Sequence, residues 1–288
     1  MDAPPPHEDV RLFIAIGRHL RSLGYSAPEI FAEDASLGTL LLEDFGDDLF
    51  TRLLESSGRE QELYRHAVDL LIDLLHRDLP PAVPEYDVSI LLGEAALFVD
   101  WYLPAVRRQP VTSSERDAFF SAWQEVLPRA NAGPPVLVLR DYHADNLVWL
   151  ERRKGISRVG LLDFQDALVG PCMYDLVSLL EDARRDLPSD LVKGMIERFI
   201  SGTGLDPTAA ATAYTVLGAQ RNTKIIGIFT RLWQRDGKID YLSYIPRVWG
   251  LLEGNLEHPV LMPLRKWFDA QVPSQLRGSS ITSSGAPS

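Results

Sequence analysis

Leu139-Arg140-Asp141-Tyr142-His143-Ala144-Asp145-Asn146-Leu147 is the stretch on which the reading of this chain turns. It leaves the apolar run Val136-Leu137-Val138-Leu139, and Leu147-Val148-Trp149-Leu150 returns at once to strand-forming residues, so Asp141 and Asn146 share one loop between two buried strands. A third run, Val159-Gly160-Leu161-Leu162, leads into a second acidic loop, Asp163-Phe164-Gln165-Asp166. Parallel ends of neighbouring strands would bring Asp163 beside Asn146. An Asp and an Asn at this spacing are common in loops, where both residues favour turns. The buried strand ahead of the pair and the second acidic loop behind it set this instance apart.

Phosphoryl transfer from ATP calls for hard oxygen ligands to Mg2+ and a carboxylate that orients and deprotonates the attacking hydroxyl. In that reading Asp141 is the catalytic base, while Asn146 and Asp163 hold the metal. At these residues the sequence resembles the protein-kinase-like superfamily, although Leu139 stands where many members carry His. Asp163-Phe164-Gln165-Asp166-Ala167, Gly170-Pro171 and Tyr174-Asp175-Leu176-Val177-Ser178-Leu179-Leu180 are more specifically similar to the aminoglycoside phosphotransferase (phosphotransferase enzyme) family.

Within that family the wording is nearer still to the bacterial N-acetylmuramate/N-acetylglucosamine anomeric kinases of cell-wall recycling. The likeness runs through residues 1–5, 41–46, 140–146, 163–180 and 220–229. The resemblance implies an α+β, protein-kinase-like fold with an incomplete small N-terminal lobe and a large, mostly helical C-terminal lobe. It implies ATP and Mg2+ as cofactors, a small-molecule sugar as substrate, and Glu43, Asp44 and Phe45 as the hinge whose backbone meets the adenine. Asp175 is expected to hydrogen-bond the catalytic loop. The family's three upstream strands and phosphate-pairing lysine have no match before residue 46; the expectation is therefore either a downstream start or a shortened protein, and weak ATP binding by the chain as given. A kinase for aminoglycosides or another small alcohol, and a non-catalytic kinase-like binding protein, are the alternatives.

The rest of the chain reads as mostly helical. Val10, Phe13, Ile14, Gly17, Leu20 and Leu23 predict a helix over residues 8–23, closed by Gly24. Residues 27–31 and 39–42 read as two short strands, the second buried on both faces. Helices are predicted over residues 59–79, stopped by Pro80-Pro81, then from Ser89, from Ser114, and over 174–183, 189–201 and 207–236. Residues 155–160 lack a following Lys-Ser/Thr and read as a hairpin connection rather than a phosphate loop. The expected division is 1–46, remnant of the small lobe and hinge; 47–272, helical catalytic lobe; 273–288, a Ser/Gly/Pro-rich disordered tail.

A net charge of −11 over 288 residues argues against nucleic acid as a partner, since non-specific binding to phosphate backbones is driven by Lys and Arg. No run approaches the roughly 18 uninterrupted apolar residues of a membrane span, and the first residues lack the order of a signal peptide. Together with a single cysteine, Cys172, which excludes an internal disulfide, this leads to the expectation of a cytoplasmic monomer without membrane or nucleic-acid partners. Cys172 reads as a buried small residue, and His143 as a loop histidine packed on Tyr142 or the second acidic loop. Arg221 and Lys224 could face a substrate carboxylate or solvent; Glu181 and Asp182 could line a cleft or cap a helix.

Overall fold

A computed structural model describes residues 10–278 apart from 57 and 82. The described residues pack as two compact units. The first comprises the described part of Met1–Glu85 with Gly133–Asp182 and Leu187–Asp206; the second comprises Tyr86–Ala132, Ala183–Asp186 and the described part of Pro207–Ser288.

The first unit begins with α1 (Val10–Ser22), whose buried face is Val10, Phe13, Ile14, Ile16, Gly17 and Leu20. Gly24 closes it at φ +89°, a left-handed position where Tyr25 N–H returns to Leu20 O at 3.0 Å. Residues 8 and 9, placed in this helix on sequence grounds, lie outside the described residues. β1 (Ile30–Asp34) and β2 (Thr39–Leu42) pair antiparallel. The expectation that β2 is buried on both faces is not met: Leu40 is buried but Leu41 is exposed, because β1 and β2 form a two-stranded sheet by themselves.

α2 (Phe50–Ser56) and α3 (Glu60–Leu74) follow, α3 ending before the predicted limit of residue 79. The unit is completed by segments that enter after a long excursion of the chain. α4 (Val88–Leu97), α5 (Leu103–Arg107) and α6 (Ser113–Val126) belong to the second unit; β3 (Val136–Val138), β4 (Leu147–Trp149), β5 (Val159–Leu161), β6 (Leu168–Gly170), α7 (Tyr174–Leu180) and α8 (Ser189–Thr203) return to the first. β3 pairs with β6 and β4 with β5, both antiparallel. Parallel neighbours were expected to carry Asn146 to Asp163; an antiparallel hairpin does so instead. Its connection is the turn Gly155–Arg158, with Gly155 at φ +58°.

In the second unit the helical run 88–107 contains a π-helical stretch, Phe98–Tyr102. Its close neighbour is α9 (Pro207–Asp236): a Cβ added to Gly227 would lie 2.4 Å from the Leu97 carbonyl carbon, so only glycine lets the two backbones approach this far. The 20-residue span Val88–Arg107 meets the length and composition of a membrane span. Its Glu94 is paired at 2.8 Å with Lys224 of α9. α10 (Ile245–Leu256) and α11 (Met262–Gln271) enclose an aromatic core in which Phe98 lies 5.3 Å from Phe268 and 5.7 Å from Trp249. Residues 273–278, read from sequence as the start of a disordered tail, include the turn Ser274–Leu276, whose Leu276 carbonyl accepts from Tyr102 Oη at 2.7 Å. Residues 279–288 lie outside the described residues.

Candidate active site

The loop of residues 139–147 is held by hydrogen bonds from several elements. Arg140 adopts φ +69°, unusual for a side chain with a Cβ, and its peptide is held from three directions. Asp175, in the first turn of α7 and 3% exposed, accepts Leu139 N–H at 2.6 Å and Arg140 N–H at 2.9 Å. Ser178 Oγ donates to Arg140 O at 3.2 Å, and Arg140 Nη1 donates to Asp166 O at 3.2 Å, tying this loop to the second acidic one. Tyr142 Oη donates to Ala67 O of α3 at 2.9 Å; burial raises this phenol well above its ordinary value, which keeps it a donor. Thr51 of α2 donates to the Asp145 carboxylate.

From this frame Asp141 projects half-buried, and Asn146 and Asp163 converge beside it. Asn146 N–H closes on His143 O at 2.9 Å, and its Nδ2 donates to Asp141 O at 3.0 Å and to Asp163 Oδ2 at 3.3 Å. Across the β4–β5 hairpin Leu162 N–H bonds Asn146 O at 3.0 Å, so the start of β4 faces the chain just beyond β5. Asp163 stands at φ +56°, and Gln165 Nε2 donates to its Oδ1 at 2.6 Å. Phe164 stacks on Phe13 of α1 with centroids 4.7 Å apart, and a Cβ on Gly17 would lie 3.4 Å from that ring.

Among the described residues no group of three or more His, Cys, Asp or Glu converges to hold a metal. Mg2+ in phosphoryl transfer keeps waters and phosphate oxygens and takes only one or two protein carboxylates. Asp163 with the Asn146 amide fits that demand: with both Nδ2 hydrogens engaged, Oδ1 is the amide atom left for a cation.

Glu43, Asp44 and Phe45, expected from the resemblance to form the hinge, lie along the same hairpin. Glu43 N–H donates to Glu29 O at 2.8 Å, and the Glu43 carboxylate pairs with Arg153 and, at 3.6 Å, with Arg21. Asp44 Oδ1 accepts Gly46 N–H at 2.8 Å. Phe45 lies under the Arg153 guanidinium at 5.1 Å, and a Cβ on Gly160 would come within 2.9 Å of its ring. Three of the site's supports had no sequence signal of their own: Thr51, Arg153 and Gln165. Only Gln165, two residues from Asp163, was within reach of a local argument.

Of the other residues singled out, His143 is buried, and Cys172 is buried in keeping with its reading as a small core residue. Arg221, read as possibly solvated, is 5% exposed, and Lys224 is engaged with Glu94. Glu181 and Asp182 are buried too, so neither solvates a helix.

One loop holds Asp141 and Asn146, a second presents Asp163 beside them, and the buried Asp175 lies under the first. The chain belongs to the phosphotransferase enzyme family, whose model matches residues 1–211. It is 38% identical over 279 residues to an N-acetylmuramate/N-acetylglucosamine kinase of Caulobacter vibrioides, covering 93% of this chain and 76% of that protein. A protein of the same description from Pseudomonas aeruginosa is 38% identical over 261 residues, covering 88% of this chain and 75% of the relative. The fold is shared with a choline/ethanolamine kinase family protein from Mesorhizobium loti, with a TM-score of 0.61, 12% identity and coverage of 91% and 85% of the two chains. An ADP-bound aminoglycoside phosphotransferase gives a TM-score of 0.54 at 17% identity, covering 84% and 80%.

Proposed function

We propose that this chain transfers the γ-phosphoryl group of ATP to the anomeric hydroxyl of N-acetylmuramate or N-acetylglucosamine. The observation that supports the reaction type is that one amide, Asn146, bonds both the main-chain carbonyl of Asp141 and the carboxylate of Asp163. The sugar is supported by the two relatives of that description over most of the chain.

Asp141 orients the sugar hydroxyl toward the γ-phosphorus and accepts its proton as the O–P bond forms and ADP leaves. Asp175 keeps the loop that bears Asp141 from relaxing, so the carboxylate is set before substrate enters. Asn146 and Asp163 offer the oxygens for the cation, and the backbone of Glu43, Asp44 and Phe45 meets the adenine. A bound magnesium ion would neutralise the charge shared by the β- and γ-phosphates.

The test follows ADP release by the full-length enzyme with each free sugar, its 1-O-methyl glycoside, choline and kanamycin. The free sugars are expected to turn over and the glycosides to be inert, because only the anomeric hydroxyl is blocked in them. Glycosides reacting as fast as the free sugars would move the reaction to another hydroxyl. Turnover of kanamycin or choline alone would overturn the sugar assignment.

A further inference from the structure

Asp163 is exposed and sits at φ +56°, so neither a strand nor burial fixes where its carboxylate points. Two amides do. Asn146 Nδ2 meets Oδ2 at 3.3 Å, a long contact, whereas Gln165 Nε2 meets Oδ1 at 2.6 Å. Gln165 is itself anchored, because its neighbour Phe164 is 1% exposed against Phe13, and Ala167, 3% exposed, closes the turn with its N–H on Phe164 O at 3.1 Å.

We propose that Gln165 is a positioning residue for the divalent cation that accompanies the nucleotide: by donating to Oδ1 it aims the Asp163 carboxylate so that Oδ2 stays beside Asn146. This rests on the reading of Asp163 as a cation ligand. Gln165 acts through that carboxylate and touches neither nucleotide nor sugar. An amide donor behind a ligating carboxylate fixes its rotamer, and loss of such a partner typically weakens metal binding about 10–100-fold.

The experiment titrates Mn2+ into the full chain with saturating ADP, reading free Mn2+ by electron paramagnetic resonance, for wild type, Gln165→Leu, Gln165→Glu and Asp163→Ala. Metal-free ADP affinity and thermal midpoint are measured alongside. Gln165→Leu is expected to weaken Mn2+ binding about tenfold or more, to leave metal-free ADP binding and the midpoint unchanged, and to raise the Mg2+ concentration for half-maximal activity without altering the sugar KM. Gln165→Glu, which cannot donate when ionised, should weaken Mn2+ binding as well.

Unchanged Mn2+ binding in Gln165→Leu, with loss in Asp163→Ala, would remove Gln165 while leaving the phosphotransferase reading intact. Tighter binding in Gln165→Glu would make position 165 a direct ligand and overturn the positioning role. Loss of metal-free ADP binding in Gln165→Leu would show a general distortion and also overturn it. Asp163→Ala binding Mn2+ like wild type would sink the ligand reading on which the proposal rests.

Discussion

At Asp175 one carboxylate serves two neighbouring buried amides, Leu139 N–H and Arg140 N–H, and so carries the conformation of the loop above it. Asp175→Ala leaves both donors unpaired at about 1–3 kcal/mol each, which urea unfolding should read as a lowered midpoint; Asp175→Asn, which keeps one acceptor, should fall between. Asp141→Ala is different in kind: the residue is half-buried and its carboxylate bonds no other element among the described residues, so folding should be unaffected while kcat falls roughly 10²–10⁴-fold, the range for a positioned base. Wild-type turnover in that variant would remove Asp141 from the mechanism. Asp163→Ala should abolish the dependence of nucleotide binding on Mg2+, as calorimetry with and without the metal would reveal. These roles could be argued from sequence because Asp141 and Asn146 lie within one loop and Asp163 follows one hairpin later. The bond from Asp175 was implied by the resemblance, but those of Arg140 to Asp166 and Ser178 could not be argued from sequence, since they span 26 and 38 positions.

Among the elements, α1 shows how a helix outside the two acidic loops bears on them. Its Phe13 and Gly17 receive Phe164, the residue after Asp163. Gly17→Val would drive methyl groups into that ring, with a cost of about 1–3 kcal/mol for overpacking; thermal unfolding should record it, and the KM for Mg·ATP should rise with the displaced loop. The helix itself was legible from its apolar spacing, but its contact with the Asp163 loop was not, because periodicity gives a face and never the face it meets. At α6 the Thr112–Glu115 capping box and Arg107, whose Nη2 lies 2.7 Å from Glu115, lower the glutamate from its ordinary value of 4.5 to about 2, through Thr112 N–H first and then Arg107. A depressed folded value means that the stabilisation is present above pH 4.5 and is lost as pH falls toward 2. Melting temperatures measured across that window should decline in wild type and less steeply in Glu115→Gln, which has no proton to gain. Equal slopes would remove Glu115 from the acid limb.

Over the whole molecule, all of the candidate catalytic, metal and hinge residues belong to the first unit, although that unit is assembled from three separated segments. Mg·nucleotide should therefore protect residues 139–147 and 161–167 in hydrogen exchange and leave α6 of the second unit at its free rate; protection confined to α6 would displace the site. The six polar and small residues 218–223 in the middle of α9 are all buried, a burial that composition would have argued against. What the sequence alone determined is local: the helices with an apolar stripe, the three short strands of valine and leucine, and the two acidic loops, whose order identified the family. Such features depend on residues within a few turns or one hairpin of each other. Tertiary structure decided the antiparallel pairing that joins Asn146 to Asp163, the exposure of Leu41, the burial of Arg221, and the supports supplied by Thr51 and Arg153. Those depend on partners up to 110 positions away, brought together by burial of apolar faces that a linear pattern does not pair.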